Sequence, residues 1–304
     1  MAELKRILAV VGPTASGKTA LGVKLALYLN GEVVSSDSMQ VYNNMPIASA
    51  APTVEEMSGV PHHLIGFADP ADKFSVAEFI KRAEAIIDDI ISRGKLPIVV
   101  GGTGLYVDSL VSGIEFQDEN SDEVRQELEK EAQEKGISAM LELLREIDPE
   151  TAAKYHINDR KRILRALEIY RIHGKTKSLL DRESKSSGDR YACTWIGITY
   201  RNRQLLYDRI NQRVDMMLEN GLLDEAKAAF LNNCGKTSVQ AIGHKELFGY
   251  FKGELPLKEA VENLKTETRH YAKRQLTWFR RNSKINWIYA DETEDILGEA
   301  LKHI

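Results

Sequence analysis

A glycine-rich segment near the start of the chain carries the residue types that bind phosphate groups. Residues 12–19 read GPTASGKT, which fits the pattern GxxxxGK[ST] of a phosphate-binding loop. In such a loop the backbone N–H groups turn towards phosphate oxygens, and the following helix adds the positive end of its dipole. Lys18 supplies a charge and Thr19 a hydroxyl ligand for Mg²⁺. We predict that a di- or triphosphate binds to Gly12, Pro13, Thr14, Ala15, Ser16, Gly17, Lys18 and Thr19.

Asp37 is the carboxylate that we expect beside this loop. It ends a second predicted strand, and strand ends at this edge of a parallel sheet face the ligand crevice. A carboxylate there can accept a proton or lie near a metal ion, and the alternative is that Asp37 caps a turn. An ATPase usually has an aspartate after another apolar strand, whereas residues 98–100 are followed here by Gly-Gly-Thr-Gly. These glycines either admit a bulky group or form a plain tight turn.

Cations at helical spacing form two further groups. Arg209 and Arg213 are four residues apart and share one face of a predicted helix. Lys161 and Arg165 have the same spacing, with Arg162 between them, and the apolar residues of that segment face the other way. Such faces either contact an anionic ligand or are simply solvated.

The strands and helices that would position these residues alternate along the chain. We predict strands at 7–11, 31–38, 96–104, 193–200 and 285–290, and helices at 18–30, 74–94, 203–231 and 258–282. This alternation indicates an α/β fold with a parallel sheet. Between about 114 and 190 the pattern changes to charged helices without strands. We therefore expect a core of residues 1–113 and 191–304, interrupted by an all-helical insertion domain at 114–190.

The composition of the 304 residues, 43% hydrophobic and 28% charged, excludes a collagen, a disordered chain and a disulfide scaffold. Two cysteines without a CxxC pair fit a reducing cytoplasm, and no apolar run is long enough to span a membrane. The net charge of −4 conceals segregation, because residues 269–284 carry six Lys or Arg and no acid. Tyr271, Trp278 and Phe279 are interleaved with these cations, a mixture that suits either single-stranded RNA or a helix packed on a core.

Six motifs together resemble the tRNA dimethylallyltransferase (isopentenyl-tRNA transferase) family in its bacterial form. They are GPTASGKT, DSMQVY, GGTGLY, NDRKRILRALE, QAIGHKEL and RHYAKRQLTWFR, and they extend from residue 12 to about 280. His244 departs from the more usual tyrosine of the fifth motif. The resemblance implies a core like that of the P-loop NTPases. It also implies transfer of a dimethylallyl group from its diphosphate to N6 of the adenine 3′ of a tRNA anticodon, with release of diphosphate.

The resemblance also implies roles for individual residues. Asp37 would accept the N6 proton, while Lys18, Thr19 with Mg²⁺, and Arg213 would stabilise the leaving diphosphate. Contacts with tRNA are implied for Asp37, Ser38, Met39, Gln40, Thr103, Arg125, Lys161, Arg162, Ile163, Leu164, Arg165, Arg274 and Arg280. The expected partners are dimethylallyl diphosphate and the anticodon stem-loop. We expect a cytoplasmic monomer that has no contact with a membrane.

Three other functions are weighed against this one. A P-loop kinase of a small metabolite would explain the phosphate loop but not the basic segments at 160–165 and 269–281. An RNA-binding GTPase-like switch would need an N/T-K-x-D segment that reads guanine, and the sequence has none. A prenyltransferase that acts on free AMP would share the core motifs, although the basic segments argue against it.

Overall fold

The computed structural model describes residues 4–114, 121–186, 188–232, 235 and 238–304. Cys234 lies outside the described residues. The chain divides into two compact units, of which the first joins Met1–Val111 to Arg190–Ile304 and the second is Ser112–Asp189. Among the described helices, none combines the length and the apolar character needed to cross a membrane.

The first unit is built on a parallel sheet in which β1 occupies an inner position. Its six strands are β1 (Lys5–Val11), β2 (Gly31–Ser35), β3 (His62–His63), β4 (Leu96–Gly101), β5 (Tyr191–Thr199) and β6 (Ile285–Tyr289). They lie in the order β3-β2-β4-β1-β5-β6, and every neighbouring pair is parallel. Strand β1 is an apolar run because helices cover both faces of such a sheet. The predicted α/β class with a parallel sheet is confirmed.

The helices of the first unit flank this sheet. They are α1 (Lys18–Leu29), α2 (Val54–Met57), α3 (Val76–Ser92), α4 (Gly104–Ser112, whose last residue belongs to the second unit), α9 (Arg203–Glu219), α10 (Leu222–Leu231), α11 (Lys245–Phe251), α12 (Leu257–Phe279) and α13 (Ile296–Leu301). Helix α3 shows how the pattern works. Its residues Phe79, Ala83, Ile87 and Ile90 recur at helical spacing and are all fully buried.

The described residues of the second unit form helices joined by loops, without a strand. It contains α5 (Asp122–Ile147), α6 (Pro149–Ala152), α7 (Arg160–His173) and α8 (Lys177–Ser186). Its core is one apolar cluster supplied mainly by α5 and α7, with Leu128 and Leu144 from the first helix and Ile163 and Leu167 from the second. The cationic residues of α7 alternate with these buried positions, so the helix is amphipathic in the usual sense.

Several predicted boundaries are wrong in ways that bear on the site. The strand predicted at 31–38 ends at Ser35, so Asp37 lies in the loop that follows the sheet edge. The helix predicted at 203–231 is two helices, because Gly221 adopts a left-handed conformation between them. Strand β3 is absent from the prediction, since two histidines carry no alternating apolar pattern.

Candidate active site

A cavity of about 320 Å³ opens at the carboxyl edge of the sheet, beyond the ends of β1, β2 and β4. Polar side chains from the strand-end loops and from α9 and α12 line it together with apolar ones. The polar residues include Thr14, Lys18, Thr19, Asp37, Ser38, Gln40, Arg213, Thr268, Tyr271, Arg274 and Gln275. The apolar residues include Val33, Met39, Val100, Val214, Met217, Ile242 and Leu264. The cavity could therefore hold a ligand with a charged end and an apolar end.

The predicted phosphate loop has the backbone shape that its sequence indicates. Gly17 caps the start of α1 with a φ of 96°, a value that favours glycine, and the helix points its N-terminus at the loop. Lys18 Nζ donates to the Pro13 carbonyl at 3.2 Å. The Ser16 hydroxyl is buried and has no hydrogen-bond partner among the described residues. An orphaned donor beside a helix N-terminus suits an anionic ligand.

Some residues of the loop 12–19 line the cavity, and others are buried within the loop. Thr14, Lys18 and Thr19 line the cavity, whereas Gly12, Pro13 and Ala15 are buried in the loop itself. Arg209 braces the loop, because its Nε donates to the Ala15 carbonyl at 3.0 Å. The sequence placed Arg209 on the same helix face as Arg213 but gave no sign of this contact.

Lys18 and Arg213 lie in surroundings that disfavour their charged forms. Burial and the nearby Arg213 guanidinium lower the pKa of Lys18 to about 8, although Asp37 acts in the opposite direction. Burial also lowers the pKa of Arg213, against the attraction of Asp37 and Glu56. A bound polyanion would relieve both effects, since it would supply the missing negative charge.

Asp37 shapes a turn and also lines the cavity. Its Oδ1 accepts from the Met39 N–H at 2.9 Å and from the Gln40 N–H at 3.4 Å, so the carboxylate does shape a turn. The side chain also lines the cavity that Lys18 and Arg213 line. A carboxylate held by backbone donors has a defined direction, which a proton acceptor requires.

The neighbours of Asp37 are fixed by a second set of bonds. The Ser38 N–H donates to Thr103 Oγ1 at 3.1 Å, which joins the loop after β2 to the loop after β4. Gln40 accepts from the Ser35 hydroxyl at 2.8 Å and donates to the Ala50 carbonyl at 3.1 Å. The oxygen and the nitrogen of its amide therefore each have one partner within the protein.

His244 and Gln275 are residues whose part in the site the sequence did not reveal. His244 is fully buried, and its Nε2 lies 2.9 Å from Glu225 Oε1. Glu225 in turn accepts from the N–H groups of Ile47 and Ala48, which anchors the segment that leads into the cavity wall. Gln275 lies in the motif RHYAKRQLTWFR, among the basic and aromatic residues that suggest RNA binding. Gln275 is four residues after Tyr271 and so lies on the same helix face, and this spacing is the feature of the sequence that could have indicated its place in the site.

The second basic stretch contributes one cation to the cavity. Arg274 lines it and lies 5.8 Å from the ring of Tyr271, whereas Arg280 is exposed at the end of α12. Trp278 donates from Nε1 to Asp108 at 2.7 Å, and Phe279 is fully buried. The aromatic residues at 278 and 279 are therefore packing residues, which favours the core alternative for them.

The predicted RNA contacts of the second unit are of two kinds. Arg125, Lys161 and Arg162 are exposed on α5 and α7. Ile163 and Leu164, also predicted as contacts, are 0% and 5% exposed and belong to the apolar core of the unit. Their side chains are covered by that core, so the two residues hold the helix that carries the cations. A contact of either residue with tRNA stays a prediction.

Arg165 lies between these two kinds. It is half-buried, and its guanidinium forms an ion pair of 2.9 Å with the buried Glu168.

Over the described part of the chain, no group of three or more His, Cys, Asp or Glu side chains could hold a metal ion. Thr19 and Asp37 are nevertheless oxygen-bearing side chains of one cavity.

Comparison with known proteins identifies relatives of this chain. The model of a family described as IPP transferase matches residues 40–282, and that of isopentenyl transferase matches residues 5–65. The tRNA dimethylallyltransferase of Caldanaerobacter subterraneus is 50% identical over 294 residues, which cover 94% of this chain and 92% of that protein. That of Bacillus cytotoxicus is 46% identical over 304 residues, covering 99% and 95%.

Two solved structures are also similar. The full-length tRNA isopentenylpyrophosphate transferase of Bacillus halodurans has 43% identity and a TM-score of 0.70, with 99% of this chain and 98% of that chain covered. A eukaryotic dimethylallyltransferase acting on tRNA has 30% identity and a TM-score of 0.83, with 98% and 77% covered.

Proposed function

Because the chain belongs to the IPP transferase family, we propose that it moves a dimethylallyl group from dimethylallyl diphosphate to a tRNA. The acceptor is N6 of the adenine immediately 3′ of the anticodon, and diphosphate is released. The observation that carries this proposal is that Lys18 and Thr19 of the phosphate loop, Arg213 and Asp37 all line the same cavity. Leaving-group stabilisation and proton acceptance are thereby available at one place.

The phosphate loop binds the diphosphate of the donor. Its backbone N–H groups and the N-terminus of α1 contact the phosphate oxygens, and Lys18 and Arg213 add positive charge. As the bond between the allylic carbon and oxygen breaks, its electrons go to the diphosphate, whose growing charge these groups stabilise. The apolar residues of the same cavity surround the dimethylallyl group.

The amine end of the reaction needs a proton acceptor. The exocyclic N6 of adenine is a weak nucleophile because its lone pair is delocalised into the ring. As N6 forms its bond to the allylic carbon it loses a proton, and Asp37 accepts that proton. The adenine must leave its stack to reach the cavity, and we place Ser38 and Met39 of the loop after β2, with Thr103 of the loop after β4, beside its path.

Mg²⁺ is the cofactor that this arrangement fits. Magnesium usually keeps several waters and is bound through one or two protein oxygens together with substrate phosphates. The Thr19 hydroxyl, directly after Lys18 at the start of α1, is the protein oxygen that we assign to it. When bound, the ion would neutralise charge on the diphosphate.

The other partners follow from the cations and from the composition of the cavity. Arg274, Arg280, Arg125, Lys161 and Arg162 are exposed and can bind the phosphate backbone of the anticodon stem-loop. We propose a monomer as the active form. A tRNA substrate is consistent with action in the cytoplasm.

A small-molecule kinase is the weaker alternative. A P-loop kinase or ATPase usually holds Mg²⁺ with an aspartate after an apolar strand, but β4 ends at Gly101 and is followed by Gly-Thr-Gly. This position has no carboxylate, while the cavity has an apolar wall that a kinase of a polar metabolite would not need.

One incubation tests the function directly. The protein is mixed with Mg²⁺, dimethylallyl diphosphate and unmodified tRNA, and the digested nucleosides are analysed by mass spectrometry. We expect a five-carbon group on the adenine 3′ of the anticodon and none on a tRNA with guanine at that position. In one parallel sample AMP replaces the tRNA, and in another ATP replaces the prenyl donor. Prenylated AMP would contradict the choice of tRNA, and turnover of ATP would favour a kinase.

A further inference from the structure

Gln275 is a buried side chain of α12 that bonds to two loops of the site at once. Its Oε1 accepts from the Thr14 N–H at 2.8 Å, and its Nε2 donates to the Gly102 carbonyl at 3.0 Å. The residue is 5% exposed. An N–H can only donate and a carbonyl can only accept, so a single orientation of the amide satisfies both partners.

Gly102 is matched to this side chain. A Cβ atom at position 102 would lie 2.1 Å from Gln275 Nε2, well inside van der Waals contact. The bulky group for which this glycine leaves room is therefore a residue of the protein itself. Close approach of the amide to the backbone is the reason for a glycine at this position.

The contact continues from Gly102 to the predicted proton acceptor. Thr103 follows Gly102 in the chain, and its hydroxyl accepts from the Ser38 N–H at 3.1 Å. Ser38 follows Asp37, whose carboxylate accepts from the next N–H groups of the same turn. A short series of covalent and hydrogen bonds thus runs from the phosphate loop through Gln275 to Asp37.

We propose that Gln275 is a positioning residue that holds the phosphate loop and the Asp37 loop at the separation which prenyl transfer requires. The proposal rests on the proposed function, because only a transfer between these loops needs a defined separation. The leaving oxygen, the allylic carbon and N6 must lie in line, and a misplacement of about 1 Å can cost roughly 10²-fold in rate. Gln275 acts through the two loops that it joins.

The first variant removes both bonds while keeping the length of the side chain. For Gln275→Met we expect the single-turnover rate to fall about 10²-fold. The affinities for inorganic diphosphate and for tRNA should change by less than about threefold, because the lost interaction serves the transition state. The matched control is Thr277→Val on the same helix, whose hydroxyl is exposed and bonds only to the carbonyl of Lys273 at 2.9 Å. It should transfer at the wild-type rate.

The second variant gives a readout that a purely structural role would not produce. In Gln275→Glu the protonated acid has one donor and one acceptor, as the amide does, whereas the carboxylate can only accept. Its rate deficit relative to wild type should therefore shrink as the pH falls, while the deficit of Gln275→Met stays constant. If Gln275→Met does not fold, the pH dependence of Gln275→Glu decides alone.

The outcomes separate this proposal from the function on which it rests. A wild-type protein that transfers no prenyl group overturns the proposed function. Active wild-type protein with both variants within about threefold of its rate overturns the positioning role only. That role is also overturned by a Gln275→Glu deficit that does not change with pH, or by variants whose rate per folded molecule is normal and whose melting temperature alone is lowered.

Discussion

The cations around the cavity and the cations of α7 differ in what compensates their charge. In the cavity, Lys18 is bonded to the Pro13 carbonyl, and burial lowers the pKa values of both Lys18 and Arg213. On α7, by contrast, Arg160 pairs with Glu129 at 2.6 Å and Arg171 with Glu131 at 2.7 Å. The cavity is thus prepared for an anion that the protein does not supply, whereas α7 is largely balanced by its own unit.

This difference indicates how each region would contribute to a reaction on tRNA. Poorly compensated cations in a partly dehydrated cavity act strongly on charge that develops nearby. Exposed cations beside carboxylates act weakly, and salt screens them. Variants of the cavity should therefore change the rate by orders of magnitude, while variants of α7 should change the affinity modestly and in a salt-dependent way.

Asp37→Asn should produce the largest effect. The asparagine Oδ1 can still accept from the Met39 N–H, so the turn keeps its shape, but the side chain no longer takes a proton. We expect the single-turnover rate to fall by about 10²–10⁴ with little change in tRNA affinity. Asp208→Asn, at an exposed position of α9, is the control. A rate close to wild type would remove the proton acceptor from the proposal.

Arg213→Gln should follow in size. Loss of a cation that stabilises the leaving group is expected to lower kcat by about 10²–10³. The control is Arg203→Gln. Arg203 is the exposed first residue of the same helix and does not line the cavity, so this substitution should leave kcat unchanged. Equal effects of the two substitutions in a steady-state assay would mean that α9 contributes only general charge.

Prediction from the sequence succeeded where the structure is local. GPTASGKT determines its own backbone, because the loop and the helix after it are contiguous, whereas Asp37 was expected at the end of a strand and lies in the loop that follows it. Gln275 bonds to a residue 261 positions away, and no local pattern specifies such a partner. The contact of Arg209 with the Ala15 carbonyl is of the same kind.

The predicted contacts of the second unit raise a different difficulty. A motif covers a continuous stretch of chain, but an amphipathic helix turns successive residues towards opposite surroundings. NDRKRILRALE therefore suggests contacts from Lys161 to Arg165 without separating the exposed Arg162 from the buried Ile163. The helical period does make this division, because it places the apolar residues of the segment opposite the cations.

The pH dependence of diphosphate binding should be intermediate in size. The pKa of Lys18 is lowered to about 8, so in the free protein its charge is lost as the pH rises through that value. Binding favours the charged form, and the association constant should therefore fall by up to about tenfold per pH unit above 8. Calorimetry with inorganic diphosphate measures this.

Lys18→Arg provides the matched comparison, because a guanidinium stays charged throughout this range. The titration of diphosphate itself is common to both proteins and cancels in the ratio of their affinities. A ratio that is constant with pH would show that Lys18 remains charged in the empty cavity. The claim that the cavity disfavours the charge of its cations would then be wrong.

The smallest effect is expected on α7, from the double variant Lys161→Ala, Arg162→Ala. Both side chains are exposed, and Arg162 lies 4.0 Å from Asp159, so each contributes a screened contact to the RNA backbone. We expect tRNA affinity to fall several-fold and the slope of log K against log salt to decrease by roughly one to two. Ile163→Val is the control, since it removes a buried methyl group and should lower the unfolding free energy by about 0.5–1.5 kcal/mol. If that control altered the salt slope as much as the double variant, the cations of α7 would be contributing to stability rather than to RNA binding.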